Sequence, residues 1–161
     1  MSAILSACGT FRYRLEREVQ PDGIVFAYFG VNCSTADHTL NDQTVRKWIG
    51  FTRGNGGRRF IVGNVFAFRS PYVTDLGRVV DPIGPENDAH IAGIIRDADV
   101  LVPCWGPRSK APAKLRSRYD AVEALLLASG KPVKTFGLSK SGDPLHVLTL
   151  AYATELVDWM R

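Results

Sequence analysis

The chain has 161 residues, 45% of them hydrophobic and 22% charged, which is enough apolar material for one core and enough charge to stay in water. No stretch approaches the roughly 18 apolar residues of a membrane span, and the opening MSAILSACGTF lacks the basic start and long apolar centre of a secretory leader. A single cytoplasmic domain over residues 1–161, without membrane contact, is therefore expected. The three cysteines (Cys8, Cys33, Cys104) form no CxxC pair and the three histidines (His38, His90, His146) have no zinc-finger spacing. Neither a disulfide framework nor a metal or other cofactor is expected. The net charge of +4 is a modest excess that admits an anionic partner.

In chain order, Phe11 to Val19 alternates Phe11, Tyr13 and Leu15 with Arg12, Arg14 and Glu16, the period of a half-exposed strand. Gln20-Pro21-Asp22-Gly23 is a turn sequence, and Ile24 to Val31 is apolar almost throughout. The two segments are expected to pair as an antiparallel hairpin whose second strand is central. A polar loop follows, and Asn41 or Asp42 can cap a helix from Gln43 to Arg53 with Val45, Trp48, Ile49 and Thr52 on one face.

Gly54 to Gly57 ends that helix, and FIVGNVFAF gives a second buried strand. Residues 69–85 form a long irregular segment, a length more often functional than idle. Glu86-Asn87-Asp88 starts a helix through Arg96 with Ile91, Ile94 and Ile95 inward, and ADVLVPCWG is a third strand. Beyond a basic loop, Ala113 to Ser129 repeats Leu115, Tyr119, Val122 and Leu126 as the clearest helix. VKTFG is a fourth short strand, and Thr149 to Met160 has the pattern of a last amphipathic helix.

Strands that alternate with helices after a hairpin imply an α/β three-layer sandwich, with a mostly parallel sheet of about four core strands flanked by helices. In such sheets ligands bind beyond the carboxyl ends of the strands. Four loops should meet there: Gly30 to Asp42, Asn64 to Pro85, Trp105 to Lys114 and Leu138 to His146.

The first loop carries Gly30, Asn32, Ser34, Thr35, Asp37 and Asp42, and the second Asn64, Phe66, Phe68 and Arg69. The third and fourth carry Arg108, Lys110, Lys140 and His146. Each has a plain structural alternative. Asn32, Ser34 and Asp37 can close turns or cap the next helix, and Asn64 can satisfy a neighbouring loop. Phe66 and Phe68 can be core, and the cations from Arg108 onward can be a solvated helix start.

The blocks GVNCSTADHTLNDQTVRKWIGFTR, VGNVFAFRS, DPIGPENDAHI, VLVPCWG and FGLSKSGDPLHVLTL resemble, in order, those of the "domain of unknown function 1643" family. That family usually has proline where this chain has Cys33 and Val147. The block order is also similar to the more distant uracil-DNA glycosylase superfamily. Gly30-Val31-Asn32 resembles its Gly-x-Asn-Pro loop, and His146 its late histidine. The resemblance implies a glycosylase-like fold in which Asn32 orients the attacking water, His146 stabilises charge on the departing base, and Asn64-Val65-Phe66 lies against the base.

Asparagine is a poor general base, so Asp37 or Asp42 would supply the negative charge that a cationic transition state needs. Phe66 or Phe68 could stack a base, Arg69, Arg108 and Lys110 could hold phosphates, and Gly30, Ser34, Thr35 and Lys140 would complete the substrate contacts. Two functions are expected of such a site. One is an enzyme acting on a nucleobase, nucleotide or modified DNA. The other is a module of the same fold that binds nucleotide or nucleic acid without chemistry.

Overall fold

A computed structural model describes residues 1–160. Its centre is β3 (Ile24–Asn32), buried from Val25 to Gly30. Alternate side chains of β3 feed two cores: Val25, Ala27 and Phe29 on one face, Phe26 and Tyr28 on the other. A strand apolar on both faces needs a neighbour on each edge and helices above and below. β3 has both neighbours, pairing in parallel with β4 (Gly57–Phe66; Tyr28 opposite Val62) and with β5 (Val100–Pro103; Tyr28 opposite Val102). Helix α1 (Gln43–Gly54) packs Val45, Trp48 and Phe51 on one face. Helices α2 (Asn87–Asp97) and α3 (Ser117–Ala128) pack Ile91, Ile94, Tyr119, Val122 and Leu126 on the other.

The expected hairpin does not form. β2 (Arg12–Glu18) pairs antiparallel with β4, Leu15 opposite Val62, so that β4 lies between β2 and β3. The turn residues fix a bend, not a partner. The bend carries the chain across the start of β4, where Val19 N and Gln20 N both donate to Arg58 O. A Cβ on Gly23 would stand 2.1 Å from Gly56 O, so only glycine passes there. The outer edge is covered by β1 (Ser2–Leu5), antiparallel to β2, a strand the sequence reading did not anticipate. The five-stranded sheet runs β1-β2-β4-β3-β5 and is mixed, with two antiparallel and two parallel ladders.

Two further expectations are corrected. The fourth core strand shrinks to one parallel bridge, Leu101 with Val133, followed by β6 (Lys134–Thr135). The chain from Thr149 to Met160 is not a helix. A short 3-10 turn over Val147–Thr149 leads to β7 (Val157–Asp158), which pairs antiparallel with β6. Trp159 then packs edge-on against Trp105, with ring centroids 6.0 Å apart, and this contact overrides the helical apolar spacing. The helix expected from Ala113 begins only at Ser117, after a 3-10 turn that follows Pro112. Among the described residues no helix is long and apolar enough to cross a membrane.

Candidate functional site

A cleft of about 570 Å³ opens beyond the carboxyl ends of β3, β4 and β5, and all four polar loops line it. That volume suits a small organic ligand. Its two walls are each fastened internally. On one, Asn32 Nδ2 donates to Ser70 O (2.8 Å) and Ser70 N to Cys33 O (2.9 Å), lashing the first loop to the second. On the other, Gly106 N donates to Pro144 O (2.9 Å), and Arg108 holds Asp143 through Nε (2.9 Å) and its backbone N–H (3.1 Å). The third and fourth loops are therefore tied to each other, with His146 on the fourth.

Gly30 and Asn64 are partners across the β3–β4 ladder. A Cβ on Gly30 would lie 3.0 Å from Asn64 Oδ1, so the glycine makes room for the amide. Asn64 is 2% exposed, and its Nδ2 has no hydrogen-bond partner among the described residues. An unmet buried donor costs about 1–3 kcal/mol, which a ligand acceptor in the cleft would recover.

Asn32 spends Nδ2 on the Ser70 and Cys33 carbonyls, which leaves Oδ1 as its acceptor for anything in the cleft. His146 Nδ1 accepts from Leu148 N (3.1 Å), so the proton of the neutral ring sits on Nε2. Burial is the largest cause lowering the His146 pKa, with nearby Lys110 adding to it and Asp42 opposing it. The ring is thus a neutral donor at neutral pH.

Asp42 also lines the cleft, but Oδ1 caps α1 by accepting from Val45 N (2.8 Å) and Oδ2 faces Ser34 Oγ (3.4 Å). Of the residues proposed from sequence, the cleft gathers Gly30, Asn32, Ser34, Asp42, Asn64, Lys110 and His146.

A family model described as "Protein of unknown function (DUF1643)" matches residues 12–148. The chain belongs to this family. No curated protein and no solved structure matches it. The matched span takes in every cleft residue except Thr149 and Leu150.

The other proposed residues lie outside the cleft of this DUF1643 member. Asp37 turns back on its own loop, accepting from Thr39 N (2.8 Å), Leu40 N (2.9 Å) and Thr39 Oγ1 (3.0 Å), and these bonds bring its pKa down to about 2. Thr35 and Lys140 are exposed at the surface. Phe66 is core, edge-on to Tyr119, and Phe68 packs edge-on to Phe11. Arg108 is consumed by Asp120 (2.5 Å), Asp143 (2.9 Å) and Glu123 (3.6 Å), so it positions loops and is not a free cation. Arg69 reaches only Gly9 O (3.4 Å).

Sequence reasoning missed Arg12, Trp48, Ser70 and Trp105 as cleft residues. Arg12 was read as part of a solvated face, yet it is 3% exposed. The cause is a β-bulge. Ile4 pairs with Arg14 but Leu5 with Arg12, so Tyr13 is extra and the alternation reverses there. Tyr13 stacks on His90 of α2 (4.8 Å), while Arg12 turns to the loop side and donates from Nη1 to Ala36 O (2.7 Å). Cys33, at a family proline position, is buried with Sγ donating to Ala67 O (3.1 Å), and burial raises its pKa. Its thiol is structural. Among the described residues no three His, Cys, Asp or Glu side chains gather as metal ligands.

Proposed function

We propose that the cleft binds a nucleobase-bearing ligand and hydrolyses its N-glycosidic bond. The observation that carries this reading is the Asn64 amide, which is buried and unpartnered on the cleft floor. A planar amide held in that way suits the edge of a base, which offers carbonyl and ring-nitrogen acceptors. Trp48 and Trp105, both largely buried, border the same cleft and make its lining apolar there.

Asn32 Oδ1 would accept a hydrogen bond from water and aim its oxygen at the sugar C1′. As the C1′–N bond breaks, its electron pair leaves with the base, and His146 Nε2–H donates to the atom that gains charge. Asp42, the carboxylate that lines the cleft, would offset the positive charge on the sugar and take the proton released by the water. The similarity of Gly30-Val31-Asn32 and His146 to the motifs of uracil-DNA glycosylases supports these roles and the fold assignment that goes with them.

One observation favours a second reading, binding without chemistry. Both oxygens of Asp42 already have partners, Val45 N and Ser34 Oγ, so it is a weak candidate for a base.

The test is a panel of nucleosides, nucleotides and base-modified oligonucleotides, with released base measured by chromatography. The hydrolytic reading expects base release that Asn32→Ala abolishes while the variant melts like the wild type. Thermal stabilisation by the same compounds without any product supports the binding reading. Neither turnover nor stabilisation across the panel ends both.

A further inference from the structure

Arg12 is the group in the cleft whose state most needs explaining. The residue is 3% exposed, its Nε is buried without a partner, and its side chain makes one hydrogen bond, to Ala36 O. Among the described residues no carboxylate lies within ion-pair distance of it, in contrast to Arg14, Arg108 and Arg118. Arginine stays protonated in proteins, so this is a buried cation. Burial lowers its pKa most, and the neighbouring Arg69 adds to the lowering, while Cys33, Asp42 and Asp37 oppose it without pairing. A cation in this setting is costly unless an anion completes it.

Its position says which anion. Arg12 N donates to Ala67 O (2.9 Å), three residues past Asn64 along the same strand direction. Three residues of extended chain set the backbone of Arg12 about 10 Å from that of Asn64. That is the order of the reach from the pairing edge of a base to its 5′-phosphate. The guanidinium is also recessed, so a terminal phosphate on a small ligand can meet it where the diester backbone of a duplex cannot.

We propose that Arg12 is the anion subsite of this cleft and takes the 5′-phosphate of a nucleoside monophosphate whose base lies against Asn64. The proposal rests on the nucleobase reading above and narrows it to a free nucleotide. The bulge at Tyr13 is the device that turns Arg12 inward. The bound phosphate would supply the counter-charge that no carboxylate of the fold gives Arg12.

Calorimetric titration of the full chain with each common nucleoside, its 5′-monophosphate, inorganic phosphate and a single-stranded oligonucleotide tests this. In the wild type the monophosphate should bind about tenfold tighter than the nucleoside, or better. Arg12→Met should erase that advantage and leave nucleoside affinity unchanged. Unliganded Arg12→Met should melt at or above the wild-type temperature, which a merely structural arginine would not allow. If the variant does not fold, the wild-type comparison still decides, and Arg12→Lys should keep only part of the phosphate advantage.

Equal affinity for nucleoside and monophosphate overturns the subsite and leaves the nucleobase reading standing. Binding of inorganic phosphate with no binding of any nucleoside or nucleotide overturns both. An oligonucleotide that binds tighter than every monophosphate overturns the small-ligand assignment alone.

Discussion

Arg12 and Arg108 both lie near the carboxyl ends of the parallel strands, and the fold treats them in opposite ways. Arg108 is ringed by Asp120, Glu123 and Asp143, and its backbone N–H is tied to Asp143 as well. Arg12 is more deeply buried and has a single carbonyl for company. The first is a structural staple with its charge fully answered. The second, with the unpartnered amide of Asn64, is a site left open. Buried groups without partners also occur away from the cleft, at Arg59 Nε and Arg69 Nε, so it is their coincidence with the cleft at Arg12 and Asn64, not the density of basic residues in the sequence, that points to a ligand.

The sharpest way to break this comparison is to remove Arg108. Arg108→Ala leaves Asp143, whose side chain is 4% exposed, without its cation, and should destabilise the protein by about 2 kcal/mol in urea unfolding. Nucleotide affinity of the fraction that remains folded should change little. A variant of unchanged stability that loses binding would invert the roles given to the two arginines.

The floor of the cleft gives the next effect. Asn64→Leu replaces an unmet polar group with an apolar one of similar volume and should leave stability within about 1 kcal/mol. Ligand affinity should fall about tenfold by titration, because the base edge loses its donor. A large loss of stability with unchanged affinity would make Asn64 a packing residue.

Neither arginine is legible in the sequence: Arg108 reads as a phosphate holder although three carboxylates answer it, and Arg12 is hidden by register. The carboxyl-end location of the cleft could be read because a nearly continuous apolar run at Ile24–Val31 demands parallel neighbours, and parallel neighbours gather their loops at one end. Asn32, Asn64 and His146 follow from that placement. Period-two alternation through Phe11–Val19 put Arg12 on the wrong side, since a bulge leaves no local trace beyond one extra residue. Pairing partners were equally hidden. The Pro21–Gly23 turn signals a bend, but only the demands of β3 on both edges place β4 between it and β2. The last strand failed for a related reason, because Trp159 finds its site against Trp105, more than fifty residues away in sequence.

The smallest expected effect is on pH dependence. The folded pKa of His146 lies below its ordinary 6.5, so the unfolded chain takes up a proton more readily. The contribution is therefore full above pH 6.5 and lost as pH falls through the folded value. Melting temperature should drop between pH 7 and pH 5 by more in the wild type than in His146→Gln. Protonation also displaces the Leu148 N–H from Nδ1, so ligand affinity should weaken over the same range. Equal acid sensitivity in the two proteins would remove His146 from the account.

The most direct measurement follows three side-chain N–H signals in a ¹H–¹⁵N spectrum during titration with a nucleoside monophosphate. The Asn64 amide and the Arg12 Nε–H should shift and become protected from exchange, while the Arg108 Nε–H, already bonded to Asp143, stays in place. Movement of Arg108 with Arg12 and Asn64 unchanged at saturation would contradict the roles given to all three.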